Sequence, residues 1–182
     1  MNKIDTFEQE LNLIKDDNVR KFTSTIISKL PDYFFTCAAS STGKYHPQYA
    51  LGEGGLVRHT KAAIVISQML IELEMFDKIK DQNDYIVSAL ILHDGLKHGL
   101  NGSKFTVDEH PKLMGDHIIV HGAGFAPIPS KISELIHSHM GQWNKGTNSS
   151  KEILPKPITS AQKFVHLCDY LASRKRLEVL EL

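Results

Sequence analysis

The sequence predicts an all-α protein, and three observations carry that reading. Val19, Phe22, Ile26, Ile27 and Leu30 recur at helical spacing behind an acidic start. The apolar run Ile86–Leu92 is too continuous for its period to separate helix from strand, but no other segment alternates well enough to give a strand a partner. The remaining apolar segments are bounded by capping residues, glycines or prolines at helical lengths. At 182 residues the chain is long enough for one substantial core and is read as a single domain over 1–182.

The elements follow in order. The first 15 residues are polar and either fray or form a short helix. A helix over 16–30 is capped by Asp16 or Asp17 and stopped by Pro31. A second short helix is expected over 32–41. The glycine-rich stretch 42–55 is irregular. A long helix runs from about Leu56 to Phe76, with Ile66, Met69, Leu70 and Leu73 among its apolar residues. The run from Asp84 to His93 is read as a buried helix. A loop over 101–108 precedes a helix from Glu109 to His121, with Leu113, Ile118 and Ile119 facing inward. "GAGFAPIP" breaks that helix. A short one follows over 130–140, with Ser130 as its cap. The loop over 141–157 is of a length often given to function. A last helix, capped by Thr159 or Ser160, runs to the C-terminus.

Charge excludes little but directs the search. Lys+Arg and Asp+Glu both number 21, so the chain has no general pull toward nucleic acid or membrane. "MNKIDTFEQE" lacks the apolar core of a signal peptide, and no apolar run reaches spanning length, so a cytoplasmic location is expected. Cys37 and Cys168 are too few for a disulfide framework and are expected reduced and buried.

The ten histidines lie between His46 and His166. Several fall at or near helix ends: His59, the pair His93-Asp94, His110, and His137 with His139. His166 and Asp169 lie one turn apart in the last helix. Taken singly, each is more often structural than a ligand. Helices can gather such residues from distant positions, as in bundle metal sites. No short-range zinc spacing is present, so the residues alone leave a distributed metal site or none.

The ordered set resembles the HD-domain metal-dependent phosphohydrolase superfamily. "EGGLVRHT" is similar to the segment around the first histidine in bacterial 3'-5' exoribonuclease-like members. "LILHDGLKHG" resembles their "LLHDIGK", and "DEHPKLMGDHII" their intermediate histidine segment. "IHSHMGQW" resembles "LSHHG", and "LPKPITSAQKFVHLCDYLASR" resembles "LP.T.EA..LH.AD.LDA". "AASSTGKYHPQYALGEGG" is similar to a histidine-containing "PAA" stretch and places His46. The likeness covers about residues 37–173. It implies an HD-domain helical bundle with its core at about 37–176 and a helical extension over 1–36. Three departures stand out. Met140 replaces the second histidine of "HHG", and a thioether is a poor ligand for a hard ion. The motif glycine is shifted to Gly95. No segment before residue 37 is long enough for the nucleic-acid-binding OB domain of those exoribonucleases.

The resemblance implies two divalent metal ions, drawn from Mn, Fe, Ni, Mg or Zn. One would be held by His59, His93, Asp94 and Asp169, the other by Asp94, His110 and His139, with Asp94 bridging. In two-metal hydrolysis, ions about 3.5–4 Å apart clamp the attacking and leaving oxygens. Asp94, Lys97 and His166 are the catalytic candidates: Lys97 would meet a phosphate oxygen, and His166 a ligand or the leaving group. His46, Lys97, Trp143 and Lys145 are the substrate-binding candidates. Asn144, Lys44, Tyr45 and Tyr49 are expected at the same rim. "SRKR" at 173–176 is either a solvated helix face or a nucleic-acid patch. The expected function is a metal-dependent phosphohydrolase, a phosphodiesterase or phosphatase acting on a nucleotide or short oligonucleotide. A di-iron HD-type oxygenase and a non-catalytic HD-fold binding protein are the alternatives. Homodimerisation is left open.

Overall fold

The computed structural model describes residues 2–40, 43, 46–147 and 149–176. Lys44 and Tyr45, and the last six residues of the predicted C-terminal helix, lie outside them. Among the described residues there are eight α-helices: α1 (Glu8–Leu11), α2 (Asp17–Lys29), α3 (Tyr33–Thr36), α4 (Gly55–Ile71), α5 (Asn83–Leu92), α6 (His110–His121), α7 (Ile128–His137) and α8 (Ser160–Ala172). They form an all-α bundle with short 3-10 turns between them, and no strand is found among the described residues. An isolated antiparallel bridge joins Lys145 and Glu152. None of the helices is long and apolar enough to cross a membrane.

The centre is α5. Its residues Ile86–Leu92 are all buried, and it packs against α2, α4, α7 and α8. This explains why the run shows no polar face: a helix surrounded on all sides has none to show. The buried hydroxyls of Thr23 and Ser88, 2.7 Å apart, join α2 to α5. Asp84, in the first turn of α5, accepts from the backbone N–H groups of Lys15 and Asp16, at 3.1 and 2.7 Å. Asp16 in turn caps α2 by accepting from Asn18 and Val19 N–H. The N-terminal segment is therefore docked, not frayed: Phe7, Leu11 and Ile14 lie in the core.

Several element boundaries differ from expectation. α4 stops at Ile71, short of Phe76, and the chain tightens into a 3-10 stretch over Glu74–Gln82. Acids at Glu72 and Glu74 oppose the helix dipole there. Met69 and Leu73, two of the apolar residues of the expected helix, are 70% and 47% exposed, and Ile119 on α6, expected inward, also faces solvent. α7 begins at Ile128, before the expected cap Ser130. Pro129 sits in its first turn, where a missing N–H costs nothing, so a proline assigned to the break after the preceding helix opens the next one. α8 starts as expected, with Thr159 and Gln162 forming a capping box. It ends at Ala172, before the "SRKR" segment. Cys168 is buried but Cys37 is only half-buried; both are free, and burial pushes the Cys37 thiol up to about 11.

His117 and His121 form a ring pair on α6, with centroids 4.3 Å apart. Burial, then the His121 charge, lowers His117 to about 4. The unfolded chain therefore takes up a proton near pH 6.5 that the folded chain refuses until about pH 4. The neutral form supports the fold fully above pH 6.5, and that support is lost as pH falls through this window. His117→Gln is expected to flatten the fall in stability between pH 6.5 and 4, measured by urea denaturation. An unchanged slope, or a His117 NMR titration near 6.5, contradicts this assignment.

Candidate metal centre

Local structure places each candidate ligand. Gly54 caps α4 in the left-handed region at φ 69°. Gly55 lies so close to the Ala50 carbonyl that a side chain would overlap it. This tight entry sets the first turn of α4, and His59 follows one turn later. α5 ends at Leu92, so His93 and Asp94 leave the buried helix directly into the site. His110 opens α6. His139 lies two residues past the end of α7, in the turn that follows, and not on the helix as expected. Asp169 comes from the third turn of α8.

His59, His93, Asp94, His110 and His139 are almost fully buried, and the Asp169 side chain is 18% exposed. His59 Nε2 lies 2.9 Å from Asp169 Oδ1 and 4.0 Å from Asp94 Oδ2. His93 Nε2 is 3.5 Å from both of those oxygens. On the other side, Asp94 Oδ1 is 3.0 Å from His110 Nε2 and 3.7 Å from His139 Nε2. The Nε2 atoms of His110 and His139 are 3.3 Å apart. Asp94 thus presents one oxygen to each group. Two His/Asp clusters able to coordinate divalent ions are present: His59, His93 and Asp169, and His93, Asp94 and His139. They share His93, which sequence reasoning gave to one ion alone. His110 joins the second group through the distances above.

The tautomers fit metal ligation. A carbonyl can only accept, so each Nδ1 facing one must donate. His93 Nδ1 donates to Leu90 O at 2.7 Å, His110 Nδ1 to Val107 O at 2.7 Å, and His139 Nδ1 to Ile136 O at 2.8 Å. This repeated bond back to the third preceding residue commits each Nδ1 as a donor and turns each Nε2 into the site. His93 Nε2 is buried without a hydrogen-bond partner. Burial, then the His93 charge, lowers His139 to about 3, so its ring is neutral. The Nε2 atoms of His110 and His139 and a carboxylate oxygen of Asp94 therefore converge, a donor set that suits a cation. For bonds of about 2.0–2.2 Å, ligand atoms around one ion lie about 3–3.5 Å apart, close to the separations found.

The carboxylates remain ionised despite burial. The Lys97 ammonium, followed by His93 and His110, outweighs desolvation and holds Asp94 well below the usual range. His59 and His93 do the same for Asp169. Burial opposes the charge on His93, but Asp94 and Asp169 outweigh it and raise its pKa.

Lys97 is not on a continued helix. A turn follows Asp94, with Lys97 N–H donating to Asp94 O at 3.0 Å. That turn brings Lys97 Nζ to Asp94 Oδ2 at 2.6 Å. The shifted Gly95 has no positive φ among the glycines that do. Its role is packing: a methyl there would meet Leu30 Cδ2 at 2.7 Å and Met114 Sδ at 2.8 Å. Gly95→Ala is expected to cost about 1–3 kcal/mol, read from the urea midpoint. A neutral effect would show that Leu30 and Met114 yield freely.

A cleft of about 480 Å³ opens over the centre. His46, Asp94, Lys97, His139, Trp143 and Asp169 line it, as do Met140, Tyr170, Ser173 and Arg174. His46 packs edge-on to His59, and burial, then His59, lowers it to about 3. Lys145 is exposed, is engaged in the bridge to Glu152, and is not among the described lining residues. Asn144 is buried: its side chain donates to Leu154 O at 3.0 Å and closes the long loop, so it is not a rim residue. Tyr49 donates to Ala172 O at 2.7 Å and ties the first loop to α8. His166 Nδ1 donates to His139 O at 2.7 Å, so it grips the backbone of a ligand and is not among the lining residues. His137 packs on Ser133 and Gly115, and His98 stacks on Tyr33.

Met140, Tyr170, Ser173 and Arg174 are lining residues that sequence reasoning did not place in the site, although Ser173 and Arg174 lie in the "SRKR" run read as either a solvated face or a nucleic-acid patch. A signal existed: His166, Tyr170 and Arg174 recur at four-residue spacing around Asp169. No family model, curated protein or solved structure matches the chain.

Proposed function

We propose that the chain is a metal-dependent phosphohydrolase of the HD-domain type, acting on a nucleotide or short oligonucleotide. One observation carries this reading: the two oxygens of buried Asp94 face separate histidine groups, as a carboxylate shared by two ions requires. When bound, such an ion pair supplies Lewis acidity and a clamp on the attacking and leaving oxygens of an in-line displacement. His59, His93, Asp94 and Asp169 would hold one ion, and Asp94, His110 and His139 the other. Neutral imidazoles keep negative charge low where a phosphate must approach. Lys97 borders the cleft beside Asp94, where its ammonium can meet a phosphate oxygen as charge shifts. His166 holds the His139 turn in place and is a positioning residue in this reading. The cleft has the size of a small-molecule site and an aromatic wall at Trp143 and Tyr170.

The test is turnover of p-nitrophenyl phosphate mono- and diesters, mono- and dinucleotides, cyclic dinucleotides and short RNA by protein loaded in turn with Mn, Fe, Ni, Zn and Mg. Hydrolysis that chelation abolishes and metal restores is expected. An inert protein with every metal contradicts the reading, and iron-dependent oxygen consumption with an organic substrate favours an oxygenase.

A further inference from the structure

The cleft has two unlike ends. At its floor lie Asp94, Asp169 and His139; at its wall stand Trp143, Tyr170 and Arg174. Trp143 is the chain's single tryptophan and is 44% exposed. Its ring lies nearly parallel to Tyr170, with centroids 5.5 Å apart at 19°. Arg174, one turn beyond Tyr170, holds its guanidinium carbon 4.3 Å from the Tyr170 centroid and 5.7 Å from that of Trp143. The Ser173 hydroxyl accepts from Arg174 Nε at 3.2 Å and from Nη2 at 2.7 Å. These contacts fix the plane of the guanidinium and leave its other donors for a ligand.

The charges at the two ends differ in commitment. Lys97, the other cation that lines the cleft, is held by Asp94 at 2.6 Å. No carboxylate pairs with Arg174 among the described residues. An aromatic face beside an oriented, unpaired guanidinium matches a nucleobase with a phosphate attached nearby, since bases stack on aromatic rings and Arg takes phosphate oxygens as a fork. A second phosphate would give Arg174 a partner separate from the phosphate at the metal floor. We propose that Trp143, Tyr170 and Arg174 form a nucleoside-phosphate subsite, so that the cleft selects an ester carrying a second phosphate: a dinucleotide or the end of a short oligonucleotide, over a nucleoside monophosphate. This rests on the phosphohydrolase reading for the floor and narrows its substrate class.

Trp143 is its own reporter. Its emission is followed in the metal-loaded full chain during titration with adenosine 3',5'-bisphosphate, AMP and ribose 5-phosphate. Both adenosine ligands quench it, the bisphosphate binding about tenfold tighter than AMP or better. Ribose 5-phosphate, which has no base, leaves the emission unchanged. Arg174→Gln reduces the advantage of the bisphosphate to about threefold or less, and Arg174→Lys gives an intermediate ratio at an unchanged melting temperature. Equal binding of bisphosphate and AMP in the wild type, or a ratio that survives Arg174→Gln, overturns the subsite. Hydrolysis of bis-p-nitrophenyl phosphate is measured alongside. Turnover without the affinity ratio refutes the subsite alone; the ratio without turnover of any ester refutes the hydrolase reading alone.

Discussion

Asp94→Ala is expected to remove metal binding from both clusters and to destabilise the metal-free protein by about 3–5 kcal/mol. Two different losses combine. The first is the carboxylate that faces the histidines on either side. The second is the partner of Lys97, whose side chain is 11% exposed and whose ammonium sits on Asp94 at 2.6 Å. An ammonium that loses its carboxylate partner is costly where its side chain is largely shielded from water. Asp94→Ala combined with Lys97→Met is therefore expected to regain most of the stability and none of the metal. His93→Ala leaves Lys97 paired, so its stability cost is smaller. Urea denaturation and elemental analysis separate the two effects. A single Asp94→Ala variant that is as stable as wild type and retains its metal sinks this account of the residue.

Gly141→Ala is expected to damage the centre without touching a ligand. Gly141 has φ 56°, a conformation strained for any other residue, and a methyl there would run into the His166 ring. That ring is the donor that holds His139 O at 2.7 Å. Displacing it frees the turn that carries His139. A loss of about 2–4 kcal/mol and weaker occupancy of the His110–His139 side are expected, with the His59–Asp169 side retained. Calorimetric metal titration reads the difference as one affinity falling while the other holds. Two unchanged affinities would show that His166 does not position His139.

The sequence made some of this legible and hid the rest for identifiable reasons. α5 was readable because a helix buried all round shows an unbroken apolar run, and the absence of alternating segments left it no sheet to join. The caps at Asp16 and Thr159 were readable because capping is local chemistry. The end of α4 was not, since Met69 and Leu73 are apolar residues that face solvent and so mimic a core stripe. The start of α7 was hidden because proline both breaks helices and opens them. At the site, the expected ligands converge, yet the shared position of His93 depends on how α4, α5 and α8 meet, which no spacing encodes. Asn144 looked like a polar rim residue but is a buried loop anchor. Arg174 looked like one charge in a basic run, and only the end of α8 at Ala172 turns it into the cleft.

The most direct test of the central claim is an anomalous difference map from crystals of the protein soaked in Mn²⁺. Two peaks about 3.5–4 Å apart are predicted, one on each side of Asp94, with His59, His93 and Asp169 around the first and His110 and His139 around the second. A map with no peak in this cleft under saturating Mn²⁺ would contradict the claim that these residues form a two-metal centre.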